Sequence, residues 1–213
     1  AYRDLLKGRI QLTRGDAKAA LDTFESGLKR WPNNAGGRYL AGLAAYQIGD
    51  YARAETEFRE SVRVDPATTD AAYALAGIYL AQARYKDAAE YARTFVANRG
   101  GARPDGYLLY VRAAVALQNY EGARRTIDAL AEAGFREDAS RARVLVDVAE
   151  KGPDAALARI ASENVDLGVP ASETALRAIV DGLLRAGKAQ QAQELVAGLV
   201  AKHGDLAGLR ELD

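Results

Sequence analysis

The chain has 213 residues, 29 Lys and Arg balanced by 29 Asp and Glu, 49% hydrophobic residues, one His and neither Cys nor Met. A chain of this length buries a core without a metal or disulfide staple, and the missing Cys excludes disulfides, zinc ribbons, iron–sulfur clusters and thiol catalysis together. Zero formal net charge argues against a nucleic-acid binder, which needs an excess of Lys and Arg to displace phosphate counterions, and charged residues interrupt every window long enough to span a bilayer.

Apolar residues recur every three or four positions, with Gly or Asp between the runs, which predicts helices throughout. In chain order these are expected at 2–14 and 17–31, 35–48 and 51–64, 70–82 and 85–98, then 105–117 and 120–133, 137–150 and 153–163, and 172–186 and 189–203. An irregular stretch at 164–171 holds Gly168 and Pro170. A short amphipathic tail with Leu206, Leu209 and Leu212 is expected to cap the last hairpin, since a bare terminal repeat exposes an apolar face. The start at Ala1, already inside a helical pattern, fits a mature or excised fragment.

The helices repeat in pairs. A shift of 34 residues lays Gly8 on Gly42, Gly15-Asp16 on Gly49-Asp50, Ala20 on Ala54, Phe24 on Phe58, Leu28 on Val62 and Pro32 on Pro66. A second shift carries Tyr51 to Tyr85 and Ala54 to Ala88, continuing, after one inserted residue near Gly100, as Tyr120 and Ala123. The second helix of each pair is amphipathic: in 51–64, Ala54, Phe58, Ser61 and Val62 form a stripe, and Arg53, Glu55, Glu57, Arg59, Glu60 and Arg63 are expected on the solvated remainder. The first helix is apolar nearly all round, so it is expected inside the stack. Gly8, Gly42 and Ala76 on first helices, and Ala20, Ala54, Ala88 and Ala123 on second helices, mark the crossings as close backbone approaches.

Gly8, Gly15-Asp16, Ala20, Phe24, Leu28 and Pro32, repeated as Gly42, Gly49-Asp50-Tyr51, Ala54, Phe58 and Pro66, and then Tyr79, Tyr85 and Ala88, resemble the tetratricopeptide repeat. The match is strong over 1–98, fair to about 133 and weak beyond, with Gly27 in place of Ala, Ala92 in place of Phe and Gly100 in place of Pro. The resemblance implies an all-α fold, a right-handed superhelical solenoid of about six antiparallel helix pairs, with an α–α superhelix of degenerate C-terminal half as the alternative. Residues 1–134 are expected to form regular hairpins, and 135–213 degenerate hairpins with a short capping helix. The family's groove positions fall on Leu5, Arg9 and Leu12, on Tyr39, Leu43, Tyr46 and Gln47, on Tyr73, Gly77 and Leu80, and on Leu108, Arg112 and Val115. Tyr39, Tyr46 and Tyr73 either anchor a ligand there or pack between hairpins. The family's chaperone-binding carboxylate clamp is not expected, because the aligned positions hold Leu5, Arg9, Leu40, Asp70 and Ala74.

Other motifs carry little. Residues 182–188 read G-x-x-x-x-G-K, but Ala189 offers no hydroxyl to magnesium and no strand precedes the loop, so a phosphate-binding reading fails. His203 lacks an evident catalytic partner. The carboxylates Glu137-Asp138 and Asp147/Glu150 are expected on solvated helix faces. The expected function is therefore a non-enzymatic scaffold, without cofactor or metal, that binds a protein or peptide segment in its groove, with no nucleic acid and no membrane insertion. The alternative is a homo-oligomeric or structural component of a larger assembly, with a monomer slightly favoured. An RNA-reading helical array is disfavoured by the neutral charge. The Ala- and Arg-rich style is similar to bacterial tetratricopeptide-repeat proteins of cell-envelope and polysaccharide-export systems; localisation is not readable from the sequence, and the absence of Cys is compatible with either a bacterial cytoplasm or periplasm.

Overall fold

The computed structural model describes residues 2–99 and 103–204. The expected capping tail, with Leu206, Leu209 and Leu212, lies outside the described residues. The chain divides into two compact units, residues 1–102 and 103–213.

In the first unit α1 (Tyr2–Thr13) pairs with α2 (Ala17–Arg30), α3 (Ala35–Gln47) with α4 (Tyr51–Val64), and α5 (Ala71–Ala81) with α6 (Tyr85–Arg99). In the second, α7 (Asp105–Ala116) pairs with α8 (Tyr120–Glu132), α9 (Arg136–Lys151) with α10 (Pro153–Glu163), and α11 (Glu173–Arg185) with α12 (Ala189–His203). A 3-10 turn, Pro170–Ser172, leads into α11, and there is no strand among the described residues. Each hairpin also packs on the next within its unit, α2 on α3, α4 on α5, α8 on α9 and α10 on α11. Among the described residues no helix is long and apolar enough to cross a membrane.

Five of the six turns within helix pairs, and the α8–α9 turn, are built alike; the α9–α10 turn at Gly152 is the exception. Gly49 N donates to the Tyr46 carbonyl at 3.1 Å and Asp50 N to the Ala45 carbonyl at 2.9 Å, the two bonds that close a helix C-terminus around a residue of positive φ. The same pair of bonds recurs at Gly15-Asp16, Ala83-Arg84, Gln118-Asn119, Gly134-Phe135 and Gly187-Lys188. Glycine supplies the positive φ at 15, 49, 134 and 187, but Ala83 and Gln118 adopt φ +57° without it. Two second helices start on a side-chain cap, Asp50 accepting from Arg53 N at 3.0 Å and Asn119 from Gly122 N at 3.0 Å, whereas Asp16 at the start of α2 makes no such bond.

Close crossings explain the small residues. Ala20, Ala54, Ala88 and Ala123 are fully buried. A Cβ at Gly8 would strike the Phe24 ring, and one at Gly42 would lie 2.6 Å from two carbons of the Phe58 ring. In the third hairpin the corresponding pair is Ala76 and Ala92, both buried, and the aromatic bulk comes instead from Phe95, one turn further along α6. The glycine and the ring thus change together, keeping the crossing filled without overlap.

Two carboxylates depart from the solvated positions expected of them. Glu57 is 1% exposed, its carboxylate held by Arg38 at 2.8 Å and Arg53 at 2.9 Å. Asp147 is also buried, gripped by Lys151 at 3.0 Å and by Arg159. Burial raises the Asp147 carboxyl, but the hydrogen bonds from Arg159 and Lys151 outweigh it and hold the group below its ordinary value. In both cases one of the paired cations comes from a different helix, so the partner is invisible to helix periodicity.

Candidate functional site

None of the eleven side chains Leu5, Arg9, Leu12, Tyr39, Leu43, Tyr46, Gln47, Tyr73, Leu80, Leu108 and Arg112 falls in the fully buried core; all are half-buried or exposed on first helices. Their helices explain this. A residue's neighbours at i+3 and i+4 share its face, and Gly8, Gly42 and Ala76 turn the opposite side of each first helix into its paired second helix. Gly77 and Val115 are likewise half-buried.

The tyrosines do more than face outward. Tyr39 leans on Phe58 with ring centroids 5.8 Å apart, and Tyr73 on Phe95 at 5.5 Å, each across its own hairpin. Tyr46 meets Tyr51 edge-on at 5.3 Å and stays 48% exposed. Such tilted aromatic pairs fix ring orientation, so the first-unit tyrosines pack within their hairpins and still present an edge on the first-helix face. Of the two expectations for these tyrosines, the ring contacts are those of packing within the hairpin. Asp70, one of the positions aligned with the chaperone clamp, lies 3.1 Å from Arg99 and is engaged within the unit.

In the second unit the three first helices α7, α9 and α11 lie side by side, with α9 in the middle. Between them runs a groove of about 730 Å³. Its floor is Val115, Leu145, Val148, Pro153 and Ala178, and its rim carries Arg112, Arg177, Arg185 and the single carboxylate Asp181. A small cavity of about 50 Å³ shares Arg112 and Leu145 with it and adds Leu108 and Arg141. Of the groove positions expected from the sequence, Leu108, Arg112 and Val115 line these spaces. Leu145, Val148, Arg177 and Arg185 escaped sequence reasoning. Helix α9 starts 31 residues after α7, and α11 starts 37 after α9, so the 34-residue register no longer points to them.

The motif at 182–188 serves packing. A Cβ at Gly182 would lie 3.1 Å from Val148 and 3.4 Å from Pro153, Gly187 supplies the φ of +74° in the α11–α12 turn, and Lys188 Nζ donates to both oxygens of Asp154 at 2.6 Å. His203 Nε2 lies 3.1 Å from Asp166 Oδ1, and its ring covers Gly168, where a Cβ would collide with it. Both groups are engaged in closing the last hairpin. Among the described residues no three His, Asp or Glu side chains gather as metal ligands do.

The family model of the tetratricopeptide repeat matches residues 5–62 and 39–104. No curated protein matches the sequence. Among solved structures, MamA (41-end) from Desulfovibrio magneticus RS-1 is similar with a TM-score of 0.59 and 17% identity, covering 94% of this chain and 93% of that one. A tetratricopeptide repeat protein from Parabacteroides merdae ATCC 43184 is similar with a TM-score of 0.64 and 16% identity, covering 98% of this chain and 79% of that one. The structure of Naa15/Naa10 bound to HypK-THB is similar with a TM-score of 0.54 and 12% identity, over 94% of this chain and 31% of the matched chain. At these identities the likeness establishes fold, and with the repeat match over residues 5–104 it supports a protein–protein interaction scaffold in general terms. Residues 5–104 thus match the tetratricopeptide repeat, and the fold is similar to that of solved tetratricopeptide-repeat structures.

Proposed function

We propose that the chain is a non-enzymatic scaffold that holds a segment of a partner protein against the faces formed by its first helices. The observation that carries this reading is the second-unit groove: about 730 Å³, floored by apolar side chains and rimmed by arginines, on helices whose backbones are fixed by their paired second helices. Sites of this size and lining suit a docked side-chain array. The first-unit face adds Leu43 and the tyrosines Tyr39, Tyr46 and Tyr73, half-buried or exposed side chains of which the three tyrosines already make aromatic contacts. Preorganisation of this kind leaves the ordering cost to the partner. That a solved relative by fold, Naa15/Naa10, is bound to HypK-THB supports the scaffold reading.

The test is affinity capture with mass spectrometry, using the native chain, a Tyr39→Ala/Tyr46→Ala/Tyr73→Ala variant, an Ala149→Trp variant that fills the second-unit groove, and an Arg125→Ala control on α8, all checked for helicity by circular dichroism. A partner lost from a face variant and retained by the control is the expected result. Partners retained by every folded variant would overturn the assignment.

A second reading, a self-assembling structural component, is favoured by one stripe. Tyr2, Leu6 and Ile10 on α1 are exposed, whereas of the positions 34 residues on from Leu6 and Ile10, Leu40 is half-buried and Ala44 fully buried on α3, which packs against α2. A second copy seated on that stripe would bury it in the same way. Light scattering decides: a dimer that becomes a monomer in Leu6→Glu/Ile10→Glu supports assembly, and a monomeric native chain refutes it.

A further inference from the structure

We infer that the second-unit groove takes an acidic amphipathic segment of a partner protein, with carboxylates set on the arginine rim and apolar side chains on the α9 floor. The inference rests on the scaffold reading above and names the chemical class of the ligand. The groove is lined by three cations, Arg112 on α7 and Arg177 and Arg185 on α11, against one carboxylate, Asp181. Arg177 is 3.4 Å from Glu173 and so partly compensated. Arg112 and Arg185 have no carboxylate partner among the described residues; Arg185 spends its Nε on the Asp181 backbone carbonyl at 3.1 Å. The two cation-bearing helices flank α9, whose Leu145 and Val148 pack onto the apolar core while lining the groove.

The consequence is electrostatic. A ligand that covers the floor removes water from Arg112 and Arg185. Stripping water from an unpaired guanidinium is costly, and only a ligand that brings carboxylates replaces the lost hydration with charge-assisted, two-pronged hydrogen bonds. A neutral apolar segment would leave those cations uncompensated, and a basic one would add repulsion.

Arg141 extends the argument to the small adjoining cavity. Its side chain is 15% exposed and two of its nitrogens are bound by Asp138 at 3.0 Å and Glu137 at 3.6 Å, yet its Nε is buried without a hydrogen bond. That cavity is lined by Arg112, Leu145 and Arg141 together, so a residue with an orphaned donor borders a space that shares Arg112 and Leu145 with the groove. Spacing sets a further constraint. Arg177 and Arg185 are eight residues apart on one helix, about 12 Å at the α-helical rise, which matches carboxylates two turns apart on a docked helix.

The experiment is selection of a displayed random peptide library on the immobilised full chain, in parallel with Arg112→Glu/Arg185→Glu, Ala149→Trp and Arg125→Ala. The substituted residues are exposed, and circular dichroism verifies each variant's fold. Peptides enriched on the native chain are expected to combine Asp or Glu with apolar residues at helical spacing. Replacing one such acid by its amide should weaken binding about fivefold, the upper range for an exposed charge pair. Charge reversal at 112 and 185 should switch enrichment to Lys and Arg, Ala149→Trp should abolish it, and Arg125→Ala should change nothing. Apolar peptides enriched without charge bias, but still blocked by Ala149→Trp, would overturn the acidic preference and leave the groove as a docking site. Enrichment that survives Ala149→Trp, or no enrichment at all, would overturn both.

Discussion

One substitution should have opposite signs at two glycines on first helices. Gly42 lies inside α3 and Gly77 inside α5. Ala is the better helix former by about 1 kcal/mol, so both changes start with the same intrinsic gain. At Gly77 nothing lies within 4 Å of an added Cβ, and the gain should appear in full. At Gly42 the Cβ would sit 2.6 Å from Cδ1 and Cε1 of Phe58, a ring 1% exposed that also stacks on Tyr39 and cannot swing away. Overpacking of this kind costs about 1–3 kcal/mol, and the severity of the overlap puts Gly42→Ala toward the upper end. The net expectation is about 1 kcal/mol of stabilisation for Gly77→Ala and about 1–2 kcal/mol of destabilisation for Gly42→Ala. Urea titrations followed by circular dichroism measure both, with an unchanged slope confirming that native stability has moved. Phe58→Leu, which shortens the ring's reach, should make Gly42→Ala less harmful in the double variant than alone. Parallel shifts for Gly42→Ala and Gly77→Ala, or no coupling to Phe58, would refute the close-crossing account of these residues.

Ala83 and Gln118 occupy left-handed turn positions where Gly15 and Gly49 supply the same geometry. The strain of an L-residue there is about 1–2 kcal/mol, partly offset by the extra freedom glycine has when unfolded, so Ala83→Gly and Gln118→Gly should each stabilise by about 0.5–1 kcal/mol, read as raised thermal midpoints. Asp147 gives a pH prediction. Its carboxyl is held below its ordinary value of 3.8 in the fold, so the unfolded chain takes up the proton first. The stability it contributes is therefore present above about pH 4 and is lost as pH falls through the depressed folded value. Asp147→Asn should lower the thermal midpoint near neutral pH, by about 1–3 kcal/mol in stability, and flatten the acid limb; an acid limb identical to that of the native chain would remove Asp147 from the account.

The helices were legible because their periodicity and punctuation agree along the whole chain. Every expected helix is present within a few residues at each end, and the register even places the turns at Ala83 and Gln118, where no glycine marks them. Burial of Glu57 and Asp147 was not legible. Amphipathicity reports how a helix faces its own neighbours, and the cations that allow these two carboxylates inside include Arg38 on α3 and Arg159 on α10, 19 residues back and 12 residues on. The second-unit groove was half legible. Leu108, Arg112 and Val115 came from the register, whereas Leu145, Arg177 and Arg185 sit beyond the point where the helix starts depart from a 34-residue step. The irregular stretch 164–171 shifts that step, and its conformation is set by contacts no repeat encodes: Ser172 Oγ donates to the Asp166 carbonyl at 2.5 Å, and the His203 ring lies against Gly168.

Among the first three hairpins the filling of the crossing varies, and that bears directly on the exposed face. The first two hairpins pair glycine with a phenylalanine ring, and the third pairs two alanines and moves the aromatic to Phe95. Tyr39 rests on Phe58 and Tyr73 on Phe95, so each tyrosine follows the aromatic beneath it across the change. The face is thereby coupled to the core through ring contacts. Substitution of Phe95 should disturb Tyr73 even though Phe95 itself is hidden, while substitution of Tyr46, which rests on the exposed ring of Tyr51 at the turn, should alter the face and leave the core intact. A scaffold built this way can exchange exposed side chains between hairpins without repacking its interior, provided the residues over the crossing keep an aromatic to lean on.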